Sequence, residues 1–412
     1  MKKLLISFFV LIISLNIFSQ NGRNGPSLWE EIRANSKLNY DNTKPQIIEA
    51  LKKYDSHQYL INRLSKNGQR YLFYTVSEAL KRDLPVELSL IPFIESQFDP
   101  YAQSSTGASG IWQFIPSTAK ENGLKKNWWY DARRDIVSST DAAYNFLTKL
   151  HQEHDDWLIA IAAYNAGPSR VRKEIKKNKT KGLPTDFWSL NLPRETKAYV
   201  PKILALSEVI RNPQLSNIEL PYLANRPYFR IVKLPSQVDL MQIANLSGLK
   251  LEVIYELNPG FNQWATDPSG PFRILLPVGI ADRFQIVLKD IDPSELVQWD
   301  KYLVKSGDSL WSIAKKFNVT IRDLSIWNGL NPSNFLLTGT KILIYPKYLK
   351  PKKIVKANFN DISYPVKTGD TISKIAIKFG IDKDWILKWN EIEDASLIYP
   401  GDVLSLNLSE LN

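Results

Sequence analysis

The chain has 412 residues, 44% of them hydrophobic and 23% charged, with no cysteine and a formal net charge of +11. That length exceeds what one ordinary hydrophobic core holds, so at least two folded units are expected. The composition excludes a disordered or membrane-embedded chain, and the missing cysteine excludes disulfides, thiolate metal sites and a lipid-modified N-terminal cysteine.

The basic balance suits a polyanionic partner, either nucleic acid or an anionic cell envelope, and equally a basic surface with no particular partner. No nucleic-acid motif is present and the aromatic residues do not interleave with a basic stripe, so no nucleic-acid partner is expected.

In chain order, Lys2 and Lys3 precede an apolar run over residues 4–18, with the small Ser19 before Gln20. This pattern predicts a secretory signal peptide over residues 1–19 and export to the periplasm or cell envelope; an uncleaved anchor is the alternative. After residue 20 no apolar stretch is long enough to span a bilayer.

Residues 28–215 read as helical, with apolar positions recurring three and four apart. One helix is predicted over residues 85–98. A second is capped by Ser139, Thr140 and Asp141 and runs to His154. A third starts at Asp156, passes Trp157, Ile159 and Ala163, and stops at Gly167 and Pro168; a fourth covers 195–211. Residues 104–110 form a Ser/Thr/Gly-rich loop, and residues 176–184 a basic, mobile one.

In the first of these helices Leu88, Ile91 and Glu95 share a face, and Leu90, Ile94 and Phe98 occupy the adjoining strip. A carboxylate among such neighbours loses hydration, so its pKa should rise and Glu95 could keep a proton near neutrality, as a general acid requires. The helix alone fits a solvent-reaching glutamate at least as well.

From residue 300 an internal repeat appears. Residues 304–319 (VKSGDSLWSIAKKFNV) match residues 366–381 (VKTGDTISKIAIKFGI) at an offset of 62 without a gap, and the match continues through Leu324, Trp327 and Asn328 against Ile386, Trp389 and Asn390. Each copy reads as strand, helix, helix, strand, over residues 301–346 and 363–408. They resemble LysM modules, which implies a small βααβ fold that binds N-acetylglucosamine-containing glycans. A degenerate third copy is expected over 228–277, where Leu240, Ile243, Ala244, Leu249, Ile254, Leu257 and Asn258 fall at an offset of 70, and Gln237 and Val238 replace the Gly-Asp pair. The Lys- and Pro-rich residues 346–356 are expected to form a linker that lets the last module move relative to its neighbour.

Four motifs follow one another in the helical part: Glu95-Ser96; Ser104, Gly107-Ala-Ser-Gly110 and Ile111-Trp-Gln113; Ala163-Tyr-Asn-Ala-Gly167; and the stretch around Glu195 and Tyr199. Together they resemble the family 1 lytic transglycosylases. The resemblance covers roughly residues 28–412. It implies a multidomain protein with a mainly α, goose-lysozyme-like catalytic domain over 28–215, followed by the LysM modules, and an enzyme that needs no cofactor or metal. Its partners would be peptidoglycan glycan strands, with peripheral association to the envelope and a monomeric state. By position, the resemblance implies that Glu95 is the sole catalytic acid/base and that Ser104 holds the substrate's acetamido group. It implies further that Gln113 lines the sugar site, that Tyr164, with Asn165, orients the carboxylate or the substrate, and that Glu195 and Tyr199 belong to the last motif.

Ordinary glycosidases flank the bond with two carboxylates, whereas Asp99, the acid nearest to Glu95 along the chain, sits in a Phe-Asp-Pro turn and caps or bends the chain. One carboxylate suffices if the sugar's acetamido oxygen supports the electron-poor carbon and its C6 hydroxyl closes a 1,6-anhydro ring. A hydrolytic muramidase and a non-catalytic wall-binding protein are the rival readings.

Other features carry plainer expectations. Tyr144, in a second Ala-Tyr-Asn, is a core residue. His151 and His154 lie three apart with no third ligand in view, so no metal is expected. Trp157 packs in the core or stacks on sugars, Trp128 and Trp129 stack on sugars or pack, and Trp327 and Trp389 pack inside their modules.

Overall fold

The computed structural model describes residues 27–407 apart from 56, 294–295, 298–299, 318, 329, 332–335, 345–360, 380–382, 391, 393 and 397. The expected signal peptide, the linker at 346–356 and the side chain of Trp327 lie outside the described residues.

The helical region opens with α1 (Leu28–Ala34), α2 (Pro45–Leu51), α3 (Gln58–Gly68) and α4 (Leu72–Lys81). Ser27 caps α1 by accepting from the Trp29 amide at 3.3 Å, and Leu28, Trp29 and Ile32 turn inward. The fully buried Glu87 accepts from the amides of Lys37 and Leu38 at 3.1 and 3.0 Å, which ties this N-terminal part to the later helices.

A 3-10 turn over Val86–Leu90 leads into α5 (Ile91–Ser96). The single helix expected over 85–98 is therefore split. Pro92 has no amide to donate back to Leu88, and Gln97 and Phe98 adopt φ values of +56° and +60°, which end the helix two residues early. After α6 (Pro116–Glu121), α7 (Ile136–His154) starts earlier than expected, because Asp135 caps it by accepting from the Ser138 amide at 2.7 Å. Ser139 and Thr140 lie inside the helix and are buried; Thr140 Oγ1 accepts the Trp112 indole N–H at 3.0 Å.

Helix α8 (Trp157–Ala166) is capped by Asp156 and buries residues 158–163. The basic loop expected at 176–184 is largely α9 (Pro168–Thr180), whose lysines sit on an exposed face while Val171 and Asn178 face inward. Asn178 then donates to the carbonyls of Pro184 and Ser189 at 2.8 and 3.0 Å, fixing the chain that follows. The core helix of this region is α10 (Arg194–Arg211), with Tyr199, Val200, Ile203, Leu204 and Leu206 all buried.

Three two-stranded antiparallel sheets follow. In the first, β1 (Phe229–Lys233) pairs with β2 (Arg273–Pro277), with α11 (Leu240–Ser247) and α12 (Leu251–Leu257) between them and α13 (Val278–Lys289) packed after them. The strand pair closes at Pro277, and α13 adds Ile280, Ala281, Phe284 and Leu288 to the same core. In the second, β3 (Asp300–Leu303), α14 (Leu310–Lys316), α15 (Ile321–Asn328) and β4 (Lys341–Ile344) form a βααβ unit. In the third, β5 (Asp361–Pro365), α16 (Ile372–Phe379), α17 (Lys383–Trp389) and β6 (Val403–Asn407) do the same.

The recurring asparagine has a structural cause. Asn390 donates to Ile386 and Ser405 carbonyls at 2.8 and 2.9 Å and accepts from the Ser405 amide at 2.7 Å, clamping the end of α17 to β6. Asn258 repeats this pattern with Ile254 and Leu275 in the first unit. The aspartate of the Gly-Asp pair is used in the same way in both intact copies. Asp308 accepts from Tyr302 Oη and the Lys305 amide at 2.9 and 2.7 Å, and Asp370 from Tyr364 Oη and the Lys367 amide, both at 2.8 Å. Where that pair is missing, its replacements are held differently: the Thr266 carbonyl accepts from Gln237 Nε2 at 2.7 Å and the Thr266 hydroxyl from the Val238 amide at 2.9 Å.

Candidate active site

Glu95 lies in the last turn of α5, half-buried, and its Oε1 accepts from the Tyr199 hydroxyl of α10 at 2.5 Å. Burial pushes the carboxyl up to about 7, the Tyr199 hydrogen bond and Lys202 pull it down, and the Glu195 charge adds to the rise. The carboxyl is thus poised to lose or take a proton near neutral pH. Tyr199 is 4% exposed, and burial together with the Glu95 charge drives its own pKa far up, so it stays a neutral donor.

Tyr164 and Glu95 are also close enough to interact through charge, yet the Tyr164 hydroxyl donates to the Trp112 carbonyl at 2.7 Å. It holds the Gly-Ile-Trp-Gln turn while Tyr199 holds the carboxyl. Ser96 completes the connection, donating to the Pro92 and Ile111 carbonyls at 3.1 and 3.0 Å, which binds α5 to that same turn. Gln113 adopts φ +50° and spends its amide on the Ala102 and Gly110 carbonyls at 3.2 and 2.7 Å. Ser104, exposed, exchanges a hydrogen bond with Thr106 Oγ1 at 2.8 Å and accepts from the Ala108 amide at 3.0 Å. Asn165 Oδ1 accepts from Thr196 Oγ1 at 2.7 Å and so joins α8 to α10, whereas Glu195 is exposed on the first turn of α10 and reaches Glu95 only through its charge.

Residues 76–186 match the Transglycosylase SLT domain, 302–344 and 364–407 the LysM domain, and 228–293 the LysM-like domain of lytic transglycosylase MltD. Membrane-bound lytic murein transglycosylase D of Escherichia coli is 37% identical over 378 residues, covering 89% of this chain and 82% of that protein. This chain belongs to the lytic murein transglycosylase D family. Cell wall-binding protein YocH of Bacillus subtilis is 35% identical over 103 residues, 25% of this chain and 32% of that one. The solved lytic transglycosylase Slt of Pseudomonas aeruginosa shares 29% identity over 35% of this chain and 24% of its own, with a TM-score of 0.28.

The other expected features of this lytic murein transglycosylase D relative fall as follows. Tyr144 is fully buried, its hydroxyl donating to the Thr75 carbonyl at 2.7 Å and its ring edge-on to Trp112 at 5.2 Å. His151 stacks on the Trp157 ring at 4.0 Å, while His154 Nε2 lies 3.7 Å from Glu153, so the two imidazoles face different partners. Trp389 packs against the core of its module. Trp128 and Trp129 pack on each other at 4.6 Å and on Trp264 at 5.7 and 5.5 Å.

Sequence reasoning missed Asp131 and Arg133, a buried ion pair at 2.7 Å beside the loop of Ser104. The available signal was four charges, Asp131, Arg133, Arg134 and Asp135, crowded behind three aromatics.

Proposed function

We propose that this chain is a lytic transglycosylase that cleaves the MurNAc–GlcNAc bond of peptidoglycan without water, leaving 1,6-anhydromuramic ends, while its LysM modules bind the glycan. The observation that carries this reading is a glutamate raised to about 7, held by one neutral tyrosine hydroxyl. In its protonated form Glu95 gives its proton to the leaving GlcNAc oxygen, as the bond to muramic C1 breaks and the substrate's acetamido oxygen supports that carbon. Ionised, Glu95 then takes the proton of the C6 hydroxyl while that oxygen bonds to C1. The proton count closes on one carboxyl, and a tethered hydroxyl has a large effective-concentration advantage over water.

The family membership and the wall-binding relative support peptidoglycan as the polymer. The basic leader pattern supports export to the envelope; among the described residues no helix is long and apolar enough to cross a membrane. In this reading Ser104, Gln113, Tyr164 and Asn165 surround the sugar, and Glu195 tunes Glu95 from a distance.

The test is digestion of purified peptidoglycan in H₂¹⁸O followed by mass spectrometry. Products lighter by one water and free of label are expected. Labelled reducing ends would replace this reading with a hydrolytic muramidase, and a folded protein that yields no products would replace it with a wall-binding one.

A further inference from the structure

The β1–α13 domain is docked against the helical region through backbone as well as side chains. The Asp131 amide donates to the Gly260 carbonyl at 2.8 Å, and the Asn262 amide to the Trp129 carbonyl at 2.8 Å. Lys125 pairs with the buried Asp267 at 2.6 Å, and Arg273 pairs with Asp135, the cap of α7. The apolar core of the helical region runs without a break into this domain. Gly260 lies so close that a Cβ there would sit 2.8 Å from the Tyr130 ring and 3.0 Å from Asp135 Cβ. A side chain at 260 is incompatible with this docking.

From that contact a chain of buried polar groups leads to the loop carrying Ser104. Arg133, 2% exposed, grips Asp131 with two prongs at 3.0 and 2.7 Å and donates its remaining nitrogen to the Gly107 carbonyl at 2.7 Å and the Phe114 carbonyl at 3.3 Å. Gly107 in turn donates its amide to the Ser104 carbonyl at 3.0 Å. Gly110 ends the loop at φ +82°, and a Cβ there would collide with the Arg133 carbonyl. A buried guanidinium shared between one carboxylate, the loop carbonyl of Gly107 and the Phe114 carbonyl just beyond the loop fixes geometry that lysine cannot reproduce.

We propose that Arg133 is a positioning residue for the 104–110 loop, and that the 228–293 domain locks it there through the Gly260–Asp131 contact, serving as a fixed wall of the catalytic unit instead of a free glycan-binding module. The inference rests on the reading of Glu95 as the catalytic group and of the loop as a substrate contact.

The test uses the full chain and two variants. Arg133→Lys keeps the charge and loses the fork; Gly260→Ala changes no residue of the helical region and forces a methyl against Tyr130 across the docking contact. Amide hydrogen exchange at Gly107, Ala108 and Gly110 should quicken about ten-fold or more in both, with α8 amides unchanged. On a soluble, uncrosslinked glycan strand, KM should rise about five- to ten-fold with kcat within about two-fold and the same pH limb. Unchanged loop exchange in both variants would overturn the proposal, as would a uniform rise in exchange across the domain. Ser104→Ala separates the two readings: if it leaves KM at the parent value while Arg133→Lys raises it, the role given to Ser104 fails and the role given to Arg133 stands.

Discussion

The Tyr199 hydroxyl meets Glu95 Oε1 across 2.5 Å, bringing together residues 104 apart in the chain. That bond stabilises the ionised carboxylate against the burial that opposes it, so the two effects set the pKa near 7 between them.

The alkaline limb of the pH–rate profile should therefore have its midpoint near 7, because the first step needs Glu95 protonated. Tyr199→Phe removes a stabiliser of the ionised form and should move that limb upward, while the loss of positioning slows the maximal rate by about 10- to 100-fold, the worth of a hydrogen bond to a charged group. A limb at the same pH in both proteins would contradict this role for Tyr199.

Glu95→Gln should lower glycan cleavage by about 10²–10⁴-fold, the usual share of general acid catalysis. Its stability effect has a definite sign. The folded pKa is raised from the ordinary 4.5 to about 7, so the protonated carboxyl favours folding below 4.5 and this contribution is lost as pH rises through 7. The variant should match its parent near pH 4 and exceed it at pH 8, by at most about 3 kcal/mol. Urea melts at the two pH values measure the difference; a variant weaker at pH 8 would show that Glu95 is not desolvated.

Asn390→Ala should unfold the last module. It strips the clamp between α17 and β6 and leaves the buried amide and carbonyl of Ser405 unpaired, costing about 2–4 kcal/mol, as much as so small a core supplies. Loss of the module's dispersed amide resonances, with weaker pull-down by insoluble peptidoglycan, is the expected result. Retained dispersion would mean that the asparagine is dispensable.

Two truncations should behave differently. Removing residues 300–412 takes away both intact LysM modules, and with them the high local concentration on the polymer; sacculus binding should fall while turnover of short soluble strands stays within about two-fold. Removing residues 224–412 also strips the docked domain from Asp131 and exposes the core it shares with the helical region, so soluble turnover and stability should fall as well. Equal soluble turnover by the two truncations would show that the docked domain does not support the site.

Much was legible in the sequence because its causes are local. The two intact modules follow from a repeat in which each aspartate and asparagine bonds to groups within about one module's length, and Asp156 and Gly167 bound α8 by short-range capping. The apolar stripe around Glu95 likewise carries the desolvation that raises its pKa. Local signals also misled where packing overrode them: Pro92 split a helix whose apolar spacing looked continuous, and the lysines of α9 read as a loop although Val171 and Asn178 anchor them as a helix. What only tertiary structure decided is which tyrosine holds the carboxyl, and that Asp131, Arg133 and Gly260 form one chain of contacts. Those choices depend on how α10 packs beside α5 and how a separate domain docks, and a hydrogen bond is won or lost over less than an ångström, far finer than any spacing of residue types along the chain can specify.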